Sequence, residues 1–217
     1  MLKTRLLGAV LVVFVAVCAA AIHAKPVPLE VPQFPADYAY RAFETQDSLG
    51  RTVRFYLTQS TAKDDRPLIV MLQGSGCLSW FVRRDGATLQ IGQQNARRPA
   101  EERAQLLLID KPGVALFDWP KGGDARECSA QFQQEHTGER WLMAIKAAID
   151  AAIEWRGKSP RAVLALGHSE GAVFAGRLAV ADPRVTHVAM LSATPVSQAH
   201  DFFAMAFSGR GYIAQAP

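Results

Sequence analysis

Residues 165–174 read "ALGHSEGAVF", and within them Gly167, Ser169 and Gly171 form the pattern G-x-S-x-G. Two readings compete: a serine set out for nucleophilic attack on a sharp strand-to-helix turn, or a helix start that carries two glycines. The flanks discriminate. Upstream, "PRAVLALG" (160–167) is an apolar run ending in glycine, as a strand covered on both faces is. Downstream, "EGAVFAGRLAVADP" begins directly after Ser169 and stops at Asp182 and Pro183. Its small residues Ala172, Ala175, Gly176 and Ala179 predict a helix that approaches a sheet closely. A strand that reverses sharply into a helix crowds the positions two before and two after the serine, so both must lack a side chain, and the turn lifts Oγ clear of the backbone. The serine then sits at a helix N-terminus, where unpaired N–H groups and the dipole favour a developing negative charge.

Working outward, the chain supplies a sheet for this turn. "YRAFETQD" (40–47) and "RTVRFYLTQS" (51–60) are strand-like and are joined by a turn at Ser48, Leu49 and Gly50, which reads as a hairpin. "PLIVMLQG" (67–74), "AQLLLIDKPG" (104–113) and "VTHVAMLSAT" (185–194) are further apolar runs of strand length. Between Thr137 and Gly157, Leu142, Ile145, Ile149, Ala152 and Ile153 recur at three- and four-residue spacing, with Thr137 as N-cap and Gly157 as stop. Buried strands alternating with helices imply an α/β fold, with a mostly parallel sheet and helices on both faces. Neither an internal repeat nor an interdomain linker is visible, so 38–217 reads as one domain. In such sheets ligands bind beyond the carboxyl ends of the strands. Ser169 lies at one of those ends.

With these elements in order, the chain resembles the α/β-hydrolase superfamily, and "ALGHSEGA" looks like the nucleophile elbow of its esterase and peptidase branches. The likeness runs from about Tyr38 to Thr194. "MLQGSGC" (71–77) falls where that family carries a His-Gly oxyanion loop, with Gln73 in place of the usual histidine. The loop acts through backbone N–H, so the substitution is tolerable. "LLLIDKPGVA" is similar to the segment after the family's fourth strand. The resemblance implies that Ser169 forms an acyl-enzyme on an ester or peptide substrate. The oxyanion would be held by the backbone N–H groups of Glu170 and Ser75, the latter within the Gly74–Gly76 loop, where glycines permit close approach. An ordinary Gly-Ser-Gly strand-end turn is the alternative reading of that loop.

A serine hydroxyl needs a histidine to take its proton and an acid to orient that histidine. The family order is Ser, then acid, then His, and only 48 residues follow Ser169. After Thr194 there is one helix-like piece, "SQAHDFFAMAF", so the last two strands of the family pattern are expected to be missing, which would expose an apolar sheet edge. His168 adjoins the serine across a sharp turn and reads as an entrance residue. His187 lies inside a strand pattern and reads as a core histidine. Asp201 has a weak claim to the acid, and His200 stands outside the family order for a base. Two functions follow: a serine hydrolase whose base and acid lie in sequence absent from this chain, or a truncated, catalytically silent relative that at most binds an acyl or peptide ligand.

The remaining features bound the setting. The chain has 217 residues, 49% of them hydrophobic and 20% charged, as a globular protein has. Lys3 and Arg5 precede an apolar run from Leu6 to Ala21, followed by Ile22, His23 and Ala24 as a cleavage site. That is the layout of a secretory signal peptide over 1–24, the competing reading being an uncleaved anchor. Pro26, Pro28, Pro32 and Pro35 make a stiff arm over 25–37 that cannot be helical. Cleavage removes two bases and no acid, lowering the formal charge from +4 to +2. Nothing here suggests a nucleic-acid partner or stable membrane insertion after cleavage. Cys77 and Cys128 would then be an even pair in an oxidising, secreted or periplasmic compartment, which favours a disulfide over two buried thiols, although their separation is not readable from sequence. Such a bridge would tether the Gly74–Gly76 loop to the segment following Asp124. His136, His168, His187 and His200 lack the spacing of metal ligands. The "GSG" is not continued as a phosphate loop. No metal or cofactor is implied.

Overall fold

The computed structural model describes residues 28–36, 38–59, 65–91, 103–120, 127–193 and 198–208. The signal-peptide reading, the first residues of the proline-rich arm and the final nine residues lie outside them. In chain order the strands are β1 (Leu29–Glu30), β2 (Tyr40–Gln46), β3 (Thr52–Thr58), β4 (Leu68–Leu72), β5 (Phe81–Arg84), β6 (Ala87–Gln90), β7 (Gln105–Ile109), β8 (Val163–His168) and β9 (Val185–Leu191). The helices are α1 (Ala130–Glu135), α2 (Gly138–Arg156), α3 (Glu170–Ala181) and α4 (Gln198–Ser208).

Seven strands form one sheet in the order β1-β2-β3-β7-β4-β8-β9, while β5 and β6 pair by themselves. The β2–β3 hairpin is antiparallel, with Gly50 at φ 72° in its turn and the Asp47 carboxylate accepting from the Leu49 and Arg51 N–H groups. β7, β4, β8 and β9 run parallel. Their continuous apolar runs have a plain cause, since alternate residues of a strand face opposite sides. Leu68, Val70, Leu72, Leu107, Ile109, Val163 and Ala165 point to the face covered by α2 and α3. Met71, Leu106 and Leu108 point to the other, where Val31, Phe34, Trp80 and Phe81 pack among the described residues. Phe34, six residues before Tyr40, stacks into this second core edge-on to Phe81 at 4.9 Å. α2 starts at its predicted cap, with Thr137 Oγ1 accepting from the Arg140 N–H, and stops at Gly157 in the left-handed conformation.

β9 is the edge of the described sheet, and Val188, Met190 and Leu191 remain 41%, 38% and 45% exposed there. Cys77 and Cys128 are joined in a disulfide with their Cα atoms 5.7 Å apart. The bridge fastens the loop after β4 to the residue that precedes α1 by two positions, and Val114 and Phe132 pack around it. Because it closes a 51-residue separation, removing it as Cys77→Ser/Cys128→Ser is expected to cost about 2–4 kcal/mol. Urea unfolding of the oxidised protein against the double variant measures the loss.

Candidate functional site

The turn between β8 and α3 carries the site. Ser169 sits at φ 53°, ψ −120°, a conformation that L-residues rarely adopt, between the last residue of β8 and the first of α3. Main-chain collisions explain both flanking glycines. A Cβ on Gly167 would lie 2.0 Å from the Gly171 carbonyl oxygen, and one on Gly171 would lie 2.2 Å from Leu72 O and 2.5 Å from Gln73 O. The helix start is thus pressed onto the end of β4. A serine in the N-cap position ordinarily accepts from an N–H of the first helical turn, but the Ser169 side chain makes no such bond. Ser169 as a whole is half-buried.

The loop after β4 runs along the same surface. A Cβ on Gly74 would meet Ser169 Cβ at 3.3 Å and His168 Nδ1 at 3.2 Å, so there is little room for a side chain between Gly74 and the serine. Gly76 has φ 111°, which keeps the loop in a conformation that favours glycine. Ser75, between them, is exposed. Glu170 is the first residue of α3, where backbone N–H groups have no intrahelical acceptor. Ser169, Glu170, Gly167 and Gly171 thus lie on one turn, and the loop carrying Ser75 and Cys77 approaches it at Gly74.

Sequence reasoning missed the charged groups beneath. Lys111, two residues past β7, has a side chain with no exposure. Its Nζ donates to Gly74 O at 2.7 Å and to Glu170 Oε2 at 2.6 Å, and lies 4.9 Å from the centre of the Trp141 ring. The second carboxylate oxygen, Glu170 Oε1, accepts from His136 Nε2 at 3.2 Å. Burial alone would push the Glu170 carboxyl up; the His136 hydrogen bond and the Lys111 ammonium together outweigh it and hold the carboxyl down at about 2. Burial lowers the Lys111 ammonium, against the opposing pull of Glu170. One signal was available: a lysine at the end of an otherwise apolar strand run must have partners if it is buried.

The neighbouring Asp110 faces the opposite side. It is buried and accepts from Tyr56 Oη at 2.6 Å, Ser79 Oγ at 3.1 Å and the Trp80 N–H at 3.0 Å. Burial, the dominant influence, raises its carboxyl to about 6 despite those hydrogen bonds.

The other histidines are dispersed. His168 ends β8 and is exposed, and His200 is exposed on α4. His187 was expected in the core and is instead exposed, its Nδ1 2.8 Å from Thr186 Oγ1. The reason is topological, because β9 is the edge strand of the described sheet. The side chain of Asp201 lies outside the described residues. Among the described residues, no group of three or more His, Cys, Asp or Glu side chains is arranged to hold a metal ion.

The structure is similar to the PEG-bound form of a cold-adapted esterase from an Arctic intertidal metagenomic library, with a TM-score of 0.53 and 16% identity, over 82% of this chain and 72% of that one. The native form of that esterase gives 0.50 at 14% identity, over 82% and 70% of the two chains. No family model and no curated relative matches the sequence. The chain has the α/β-hydrolase fold, built on a seven-stranded, largely parallel sheet.

Two outcomes follow from this geometry. Gly171→Ala, whose Cβ would meet Leu72 O at 2.2 Å, is expected to cost more than about 3 kcal/mol, because main chain must move. Gly50→Ala, at φ 72° with nothing within 4 Å, is expected to cost about 1–2 kcal/mol from backbone conformation alone. Urea unfolding of the two variants compares them.

The second outcome concerns pH. Glu170 titrates near 2 in the folded protein against an ordinary 4.5. It therefore contributes stability above about pH 4.5 that is lost as the pH falls towards 2. Asp110, raised to about 6 from 3.8, has the opposite sign, its contribution being lost as the pH rises through that interval. Thermal unfolding across pH 2 to 6 should show a shallower acid limb in Glu170→Gln than in wild type.

Proposed function

We propose that this protein is a secreted serine hydrolase that cleaves an ester or amide bond through an acyl intermediate on Ser169. One observation carries the reading: the strained Ser169 backbone, with its hydroxyl left uncapped between two glycines that have no room for a Cβ. Strain of this kind persists where the surrounding structure over-determines it, and it clusters at functional sites. In the proposed reaction Ser169 Oγ attacks the carbonyl carbon as a base takes its proton. The carbonyl oxygen becomes an oxyanion, held by the Ser75 and Glu170 N–H groups. The tetrahedral intermediate then collapses to the acyl-serine as the alcohol or amine leaves protonated, and water releases the acid by the reverse sequence. The fold is shared with an esterase, but the residues of the elbow, and not the fold, support the chemistry.

Export is supported by the basic and apolar N-terminal sequence and by the Cys77–Cys128 bridge, which belongs to an oxidising compartment. Among the described residues no helix is long and apolar enough to cross a membrane.

A second reading is favoured by a different observation. His136 is engaged with Glu170 through Nε2, and its buried Nδ1 makes no hydrogen bond, so it does not serve Ser169 as a base. In that reading the chain is a silent relative that binds an acyl or peptide ligand in the same place. A fluorophosphonate probe separates the two. Covalent labelling of wild type and none of Ser169→Ala is the expected result, and folded wild type that stays unlabelled would leave the silent reading standing.

A further inference from the structure

Lys111 is buried beneath the elbow at some energetic disadvantage. An ammonium taken out of water carries a desolvation penalty that a partner offsets only when the geometry is good, and an apolar side chain of similar size often serves stability equally well. Lys111 does something an apolar chain cannot: it donates in two directions at once, to the Gly74 carbonyl at 2.7 Å and to the Glu170 carboxylate at 2.6 Å. The first bond has a geometric consequence. The peptide joining Gly74 to Ser75 is trans and planar, so its N–H points opposite to its C=O. A hold on Gly74 O is therefore a hold on the direction of the Ser75 N–H. The peptide benefits from such a hold, because it turns about ψ of Gly74, which has no Cβ to restrict that rotation. The second bond ties the loop to the residue that opens α3.

The ammonium is itself confined. Glu170 is held from its other oxygen by His136, at the end of α1, and Trp141 closes the remaining side of Lys111. The disulfide anchors the segment leading into α1 to Cys77, three residues beyond Gly74. Loop, lysine, glutamate, histidine, helix and disulfide form a closed ring of fastenings around the β4 end.

We propose that Lys111 is the positioning residue of the oxyanion site: by holding the Gly74 carbonyl it fixes the direction of the Ser75 N–H and fastens it to the start of α3. The assignment of those N–H groups as oxyanion donors rests on the hydrolase reading above; the hold of Lys111 on the peptide does not.

The test uses Lys111→Met and the double variant Lys111→Met/Glu170→Gln, the second sparing the protein a half-buried carboxylate without its cation. Two quantities are read: the fluorophosphonate reaction, resolved into reversible binding and maximal phosphonylation rate, and the Gly74–Ser75 peptide in crystal structures of the variants. In folded variants the maximal rate should fall about 10- to 100-fold, approaching the loss of an oxyanion donor. A residue that merely supports the fold would lower the folded fraction and leave the rate of the folded protein alone. The peptide should turn over or take two orientations. A peptide that keeps its wild-type orientation in either variant overturns the proposal whatever the rate, and an unchanged rate overturns it equally. Should wild type fail to react with the probe, the hydrolase reading falls, and the peptide orientation alone decides for or against Lys111.

Discussion

Space for a side chain runs out where β8 turns into α3, and the rest of the site depends on that crowding. With Gly171 seated on the carbonyls of Leu72 and Gln73, the start of α3 reaches the sheet closely enough to force Ser169 out of the ordinary backbone regions. The β4 loop runs alongside, where a Cβ on Gly74 would come within 3.3 Å of Ser169 and 3.2 Å of His168. One tight turn thus brings two backbone segments, the start of α3 and the β4 loop, close to a single serine. No side chain of the turn supplies this arrangement; it follows from what the turn excludes.

Crowding alone does not orient the loop, and here two consecutive residues at the end of β7 matter. Side chains of adjacent residues in an extended strand point to opposite faces. Asp110 takes Ser79 and the Trp80 N–H on one side, while Lys111 takes the Gly74 carbonyl on the other. The loop after β4 is therefore pinned at its beginning and its end from a single strand terminus, and the disulfide at Cys77 pins its middle. Both groups are buried, and burial moves each towards its neutral form: the Asp110 carboxyl is raised and the Lys111 ammonium is lowered. Such groups are held in place by hydrogen-bond geometry, and their contribution lies in where they hold the loop more than in how firmly they hold the fold.

This division explains what was legible in the sequence. Periodicity and punctuation report local structure, so β2, β3, β4, β7, β8, β9, α2 and α3 are readable from apolar runs, caps and glycines, and the helix-like piece after Thr194 becomes α4. The glycines of the elbow are legible because their reason is local. By contrast the β5–β6 hairpin is short, and half of its side chains are exposed, so it lacks an apolar pattern. α1 has six residues and buries none of them. The Lys111–Glu170 and His136–Glu170 contacts join residues 59 and 34 positions apart, which no spacing rule anticipates. His187 was misread for a related reason: a strand pattern does not say whether the strand lies at the centre of a sheet or at its edge.

The edge position of β9 bears on the site as well. The last bond of the β8–β9 ladder runs from the Ser169 N–H to Leu191 O at 2.8 Å. The Ser169 amide is thereby committed to the sheet. Among N–H groups next to the hydroxyl, this leaves the one at Glu170, the first in α3, whose partner would have to come from outside the helix. In the proposed reaction a second donor would come from another segment. A Cβ on Gly74 would lie 3.3 Å from Ser169 Cβ, which sets the Gly74–Gly76 loop across the turn from the serine. On the proposed hydrolase reading, the pairing of edge strand β9 thus narrows which amides could hold an oxyanion, and the orientation of the β4 loop, rather than of the elbow itself, becomes the variable.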